Sequence, residues 1–269
     1  MKTVRSVSRA FRILESFPAG ESRSISDVST DIGIPRSTAH EILSTLVQEG
    51  ALERDGASSR YQLGTRLIEL GNRARHNFPL NRIAAPVLQA LREVFDETVY
   101  LTVLDGDEVY YVDCYESTRV LRTFSSLGDR APLYCTAVGK AVLAFRGQGA
   151  VERYLAAVPL VPFTPRTIVD RDLLLQELRV TAKRGYSVDD MEHEEGVRCV
   201  GAPLRNAEGR VFAAISVSGP AQRVSVEREP EIAARVTAAA GEISRRLGYR
   251  PPQRTAGDDK EVRVGTGVV

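Results

Sequence analysis

The chain has 269 residues, which at roughly 100–200 residues per domain suggests two domains. Its 43% hydrophobic and 26% charged residues are ordinary for a soluble globular protein, and the formal net charge of +1 supplies no bulk attraction to nucleic acid or membrane. Any affinity for DNA must therefore come from local placement of Arg and Lys. The three cysteines, Cys114, Cys135 and Cys199, fit neither a disulfide framework nor a zinc pattern, so a reduced, cytoplasmic protein without metal or other cofactor is expected. The first residues carry charges scattered among apolar ones, unlike a signal peptide, and no apolar run reaches the roughly 18 residues of a membrane span.

Val7, Ala10, Phe11, Leu14 and Phe17 recur at helical spacing and predict a first amphipathic helix, stopped by Pro18-Ala-Gly20. Ser26 is the expected N-cap of a short second helix with Val28 and Ile32 inside, closed by Gly33. Pro35 suits the first turn of a third helix, whose stripe is Ala39, Ile42, Leu43, Leu46 and Val47 and whose opposite face begins Arg36, Ser37, His40, Glu41 and Ser44. Two short strands, residues 51–54 and 60–63, flank the polar loop from Asp55 to Ser59 and read as a hairpin. A short helix, a glycine turn and a longer helix with polar early residues match a helix-turn-helix, and the hairpin would be its wing. Periodicity alone fits a three-helix bundle with a hairpin equally well; Arg36, Arg54 and Arg60 favour phosphate contact.

Residues 65–96 read as helical with a break near Asn77-Phe-Pro79. The period then becomes strand-like. Thr98–Leu104 and Glu108–Asp113 flank Asp105-Gly106-Asp107, a hairpin signal, and a third strand is expected near Arg119–Phe124. Helices are expected over 137–145 and Leu173–Arg184, and strands over Val197–Leu204 and Val211–Ser218. A last helix follows Pro230 and is capped by Gly248. The expected class is α+β with a mainly antiparallel sheet. The division is residues 1–64 as a winged helix-turn-helix, 65–80 as a linker helix, 81–248 as the second domain and 249–269 as a disordered tail.

Several blocks in this order resemble the IclR family of bacterial transcription regulators over about residues 4–248. They are Ser6–Ala10, Gly33–Thr38, Leu46–Gly50, Tyr61–Gly64, Pro132–Ala141, Gly185–Asp190 with Glu194–Gly196 and Cys199, and Ala213–Gly219. The resemblance implies a winged-helix DNA-binding domain, a linker helix and a GAF-like effector domain with a curved sheet. It also implies a homodimer or homotetramer on a palindromic double-stranded operator, and a small organic or aromatic acid as effector.

The DNA candidates are Ser26, Arg36, Ser37, Thr38, His40, Glu41, Arg54 and Arg60. Arg36 suits a phosphate or guanine O6/N7. Glu41 stands where the family commonly has arginine; it either accepts from cytosine N4, points away, or pairs with Arg36. By motif position, the effector candidates are Ala137, Val138, Asp189, Cys199, Ser216 and Ser218, with Thr123 and Ala131 as further wall residues. Ser216 and Ser218 share a strand face. Tyr100, Tyr110, Tyr111 and Phe124 suggest room for a ring, although strand aromatics are ordinarily packing. Two rival readings use Cys199 and His193: a cysteine-dependent enzyme, with Cys135 as the other candidate nucleophile, and a metal- or thiol-based sensor. Neither is accompanied by a hydrolase, P-loop or HExxH motif. A sensor domain that does not bind DNA is a third rival.

Overall fold

The computed structural model describes residues 3–18, 20–56, 58–77, 79–124 and 127–250. The chain divides into two compact units, Met1–Phe78 and Pro79–Val269.

In the first unit, helices α1 (Arg5–Glu15), α2 (Ile25–Ile32) and α3 (Arg36–Gln48) precede an antiparallel hairpin, β1 (Leu52–Arg54) and β2 (Tyr61–Leu63); α4 (Thr65–Asn77) follows. Ile13, Phe17, Val28, Ile32, Ala39, Leu43, Leu52 and Tyr61 form its core. The face that α1 buries differs from the expected stripe. Ile13 and Phe17 point inward, whereas Val7 and Phe11 are 54% and 61% exposed. The cap of α2 is also corrected. Ser24, not Ser26, is the N-cap: its hydroxyl accepts from the Asp27 N–H while the Asp27 carboxylate accepts from the Ser24 N–H. Serine and aspartate three apart satisfy two otherwise orphaned donors reciprocally, which Ser26 has no partner to do. Gly33 then adopts φ 71°, the left-handed conformation that lets α2 turn into α3. Pro35 sits one position before the first residue of α3, as its N-cap.

The second unit begins with α5 (Pro79–Phe95) and the hairpin β3 (Thr98–Asp105) and β4 (Glu108–Tyr115). There follow β5 (Arg130–Pro132), α6 (Ala137–Leu143), α7 (Gln148–Ala157), α8 (Arg171–Arg184), β6 (Ser187–Asp190), β7 (Val197–Arg205), β8 (Val211–Pro220) and α9 (Glu229–Arg246). The sheet order is β5-β4-β3-β8-β7-β6, with every pairing antiparallel. Strand parity divides its side chains. Val99, Leu101, Ala213, Ile215 and Val217 pack against α5 and α9, while Tyr100, Tyr111 and Ala214 pack with α6, α7 and α8.

The strand expected near Arg119–Phe124 is not formed. That segment is irregular, because its polar backbone is satisfied by side chains instead of a ladder. The Arg119 N–H donates to Ser117 Oγ at 3.2 Å, the Leu121 carbonyl accepts from Arg223 Nη2 at 2.8 Å and the Thr123 carbonyl from Thr98 Oγ1 at 3.3 Å, and the free edge of β4 is taken by β5. The expected disordered tail lies outside the described residues from Pro251 onward. Tyr249 still packs its ring beside the Arg205 guanidinium, 5.7 Å away.

Candidate functional site

On the first unit, α3 exposes Arg36, Ser37, His40 and Glu41, with Thr38 half-buried. Arg36 Nη2 donates to the Ser26 hydroxyl at 2.6 Å, so these two candidates meet across the α2–α3 turn. Glu41 is not the partner of Arg36. It lies at the rim of a surface groove between α1 and α3 lined by Ser6, Val7, Ala10, Ile42, Thr45 and Leu46. On the hairpin, Arg54 donates to Ser59 and lies beside the Tyr61 ring. Arg60 reaches the Ser22 hydroxyl at 2.9 Å and the Ser22 carbonyl at 2.6 Å. The guanidiniums are thus oriented by neutral hydroxyls and carbonyls, although Arg60 also lies 3.7 Å from the Asp27 carboxylate. Hydrogen bonds to Ser24 hold that exposed carboxyl below the usual range.

On the second unit, the sheet face opposite α5 and α9 and the start of α6 line a small, partly open cavity of about 40 Å³. It brings together Thr123, Ala137, Val138, Asp189, Cys199, Ser216 and Ser218, and adds Tyr100, Tyr111, Phe124, Thr136, His193, Glu194 and Val197. Ala131 is not on this wall. It lies on β5, buried in the core shared with α6–α8. Tyr110 is not on it either; its parity is opposite to that of Tyr111, and it packs beside Arg130.

Register explains the convergence. Tyr100 pairs with Ser216 and Cys199 with Ser218, and Asp189 is opposite Cys199. The Ser216 and Ser218 hydroxyls are 3.2 Å apart. Gly201 lets α6 approach β7, since a Cβ there would lie 3.0 Å from the Ala137 carbonyl oxygen. Thr136 caps α6, accepting from the Gly139 N–H at 3.0 Å. Tyr100 and Tyr111 form an edge-to-face pair 5.1 Å apart.

Asp189 is buried at the polar end, and its Oδ1 accepts from the Glu192 N–H at 2.7 Å. Burial pushes its carboxyl up to about 7, against the pull of that hydrogen bond. Burial also raises the Cys199 thiol, as does the neighbouring Asp189, and lowers the His193 imidazole, which stays neutral. Cys135 is fully buried and its thiol is likewise raised by burial. Neither thiol has the thiolate character a nucleophile needs. Among the described residues, no group of three His, Cys, Asp or Glu is placed to hold a metal ion.

Behind the cavity, Lys140 of α6 is fully buried against Glu192, with Glu177 at 3.9 Å. Sequence reasoning missed Thr136, His193 and Glu194 as lining residues and Lys140 as their support. The signal for Lys140 was present, since it is the only charge in the all-buried helix Ala137–Leu143 and needs an acidic partner.

A winged helix-turn-helix joined to a separate unit with a partly enclosed cavity defines a DNA-binding regulator with an effector domain. Residues 6–56 match the IclR helix-turn-helix domain and residues 72–245 match the bacterial transcriptional regulator IclR C-terminal domain, and the chain belongs to the IclR family. It is 36% identical to the HTH-type transcriptional regulator KdgR of Escherichia coli K12 over 247 residues, 92% of this chain and 94% of that protein. It is 34% identical to the regulator KipR of Bacillus subtilis strain 168, over 91% of this chain and 98% of that one. Among solved structures, the Thermotoga maritima IclR superimposes with a TM-score of 0.73 at 35% identity, covering 91% of this chain and 99% of that one. An IclR homolog from Microbacterium hydrocarbonoxydans, complexed with 4-hydroxybenzoate, gives a TM-score of 0.77 at 28% identity over 90% and 98%. The protein is therefore a transcription regulator with a helix-turn-helix and an effector-binding domain, and not an enzyme. Among the described residues, no helix is long and apolar enough to cross a membrane.

Proposed function

We propose that this regulator acts in the cytoplasm, binds a palindromic operator as a dimer or tetramer, and is controlled by a small organic or aromatic acid in the cavity of the second unit. The observation that carries the reading is the convergence of Asp189, Cys199, Ser216 and Ser218 with Tyr100 and Tyr111 around one cavity. Serine hydroxyls offer donors to a carboxylate, and the tyrosine rings offer a flat apolar wall. The 4-hydroxybenzoate bound by the Microbacterium homolog supports the ligand class. The apolar, exposed Val7 and Phe11 on α1 support self-association, since such side chains on one helix face gain from being covered.

In DNA recognition, Arg36 is the main contact of α3, joined by Ser37, Thr38 and His40, with Arg54 and Arg60 on phosphates beside the wing. Ser26 orients Arg36. Glu41, without Arg36 as partner, is left to accept from a base or to face solvent.

The test pairs two titrations on the full chain. Thermal unfolding with organic and aromatic acids should show a rise in midpoint that grows with concentration. Gel shifts on the chain's own upstream region should give an operator complex, and Arg36→Ala should weaken it at least about 10-fold, as loss of a bidentate contact does. Unchanged operator affinity in that variant rejects the assignment of Arg36. No stabilisation by any acid rejects the ligand class.

A further inference from the structure

We propose that the turn from Met191 to Glu194 is a specificity element of the cavity. In it, His193 and Glu194 read a hydrogen-bond donor on the bound molecule, which is accordingly a hydroxylated monocarboxylic acid and not a polyanion. The inference rests on the reading of the cavity as the effector site and deepens it.

The turn is fixed from several sides. Met191 has φ 62°, a left-handed conformation costly for a residue with a side chain. The surroundings enforce it. Thr164 Oγ1 donates to the Met191 carbonyl at 2.7 Å, and Thr167 Oγ1 donates to the Glu192 carbonyl at 2.6 Å. Asp189 Oδ1 accepts from the N–H groups of Glu192 and His193 at 2.7 and 3.4 Å. Lys140 anchors the Glu192 side chain from below. The Phe163 ring lies 5.0 Å from the His193 ring. A turn restrained at three successive residues presents its next side chains in a defined direction, and both His193 and Glu194 line the cavity.

Packing against Phe163 requires only a ring, and any aromatic residue supplies one. An imidazole adds an acceptor nitrogen and a donor N–H. Burial keeps it neutral, so the acceptor persists. Glu194, the next residue and exposed, also lines the cavity and adds carboxylate acceptors. Among the described lining residues there is no Lys or Arg. A second carboxylate or a phosphate there would face Asp189 and Glu194 without a compensating cation, whereas a hydroxyl would satisfy an acceptor. The opposite requirement, a donor for one carboxylate, is met by the Ser216 and Ser218 hydroxyls, which lie 3.2 Å apart and use only one of their two hydrogens on each other. A ligand lacking the hydroxyl leaves the half-buried His193 acceptor unpaired, which a site of this kind penalises by at least about 10-fold.

Calorimetric titration of the full chain with two matched series tests this. One is benzoate, 4-hydroxybenzoate, 4-methoxybenzoate and terephthalate; the other is propionate, 3-hydroxypropionate and malonate. In the series that binds, the hydroxylated acid should bind at least about 10-fold more tightly than its parent, and the dicarboxylate most weakly. In His193→Phe, which keeps a ring against Phe163, and in Glu194→Leu, the preference for the hydroxylated acid should shrink to about 2-fold, a residual below the worth of one hydrogen bond. A turn that merely supports the fold would weaken parent and hydroxylated acids alike and leave their ratio intact, and that result overturns the proposal. Equal binding of parent, methoxy and hydroxy acids by the unaltered chain overturns it too, as does tightest binding of a dicarboxylate. Binding without preference leaves the effector-site reading standing; heat from none of these acids removes both.

Discussion

Asp189 and Lys140 are buried ionisable side chains that both bond to Glu192. Asp189 faces Glu192, Lys140, Cys199 and Cys135, and burial moves its carboxyl from 3.8 to about 7. The folded chain therefore binds this proton more tightly than the unfolded chain. Its contribution to stability is complete below about pH 4 and is lost as pH rises through about 7. Asp189→Asn should raise the ligand-free thermal midpoint at pH 8 by several degrees and give no gain at pH 4, as read by calorimetry. Lys140 is the reverse case, a buried cation whose removal strands an anion. In Lys140→Met, the buried Glu192 loses its partner, with a cost of about 3–5 kcal/mol in urea unfolding at neutral pH. Adding Glu192→Gln to that variant should recover part of the loss. Loss of equal size in the single and double variants would show that Lys140 acts through packing of its stem instead. At this scale, motif position named Asp189, Cys199, Ser216 and Ser218, and the structure brings all four around one cavity. It did not name His193 as a wall residue, only as a rival base or ligand, because spacing along a chain does not encode how a turn held by Thr164 and Thr167 aims the side chain that follows.

Elements were more legible than contacts. Both long hairpins of the second unit and the helices α3, α8 and α9 follow from period, glycine and proline alone, because local chemistry fixes their ends. The Asp170 carboxylate caps α8 through the Asp172 and Leu173 N–H groups, and Gly185 closes it at φ 83°. Misreadings arose where side chains compete with the backbone for partners. Arg119–Phe124 carries the β-favouring Val120, Thr123 and Phe124, yet Asp96 and Thr98 take the preceding N–H groups and Val120 is left 98% exposed. Ser26 lies two residues from the true cap, and only the reciprocal bond with Asp27 singles out Ser24. Ser24→Ala should therefore cost about 1 kcal/mol, and Ser26→Ala much less, in chemical denaturation of the first unit within the full chain. The packing of α6 on β7 depends on the bare Cα at Gly201, whose added Cβ would meet Ala137 carbonyl carbon at 2.9 Å, backbone that has no flexible end to give. Gly201→Ala should lower stability by about 1–3 kcal/mol, the usual cost of overpacking, and reduce acid binding by displacing the Ala137 wall.

At the scale of the molecule, the two units have separate hydrophobic cores, so operator contact and ligand contact belong to different packing problems. Control then requires a free energy shared between them. An acid that bound equally to the operator-competent and incompetent states would shift nothing, however tightly it bound. Only a difference in its affinity for the two states changes DNA occupancy, and that difference has a reciprocal. If the acid weakens operator binding by some factor, operator DNA must weaken acid binding by the same factor, with couplings of this kind commonly about 5–150-fold. Calorimetric titration of the effective acid into the free chain and into the chain saturated with operator duplex gives one ratio. Gel shifts with and without saturating acid give the other. Equality is expected if one ligand site and one operator state are linked through a fixed assembly. Unequal ratios would mean that the acid also changes the number of copies bound, which the same gel shifts would reveal as a change in complex mobility. Charge adds an independent handle on the DNA side: each of Arg36, Arg54 and Arg60 that neutralises a phosphate contributes about 0.9 to the slope of log affinity against log salt. Replacing Arg54 or Arg60 by alanine should flatten that slope by about one while leaving sequence preference unchanged, and a loss of preference instead would move that arginine from the phosphates to the bases.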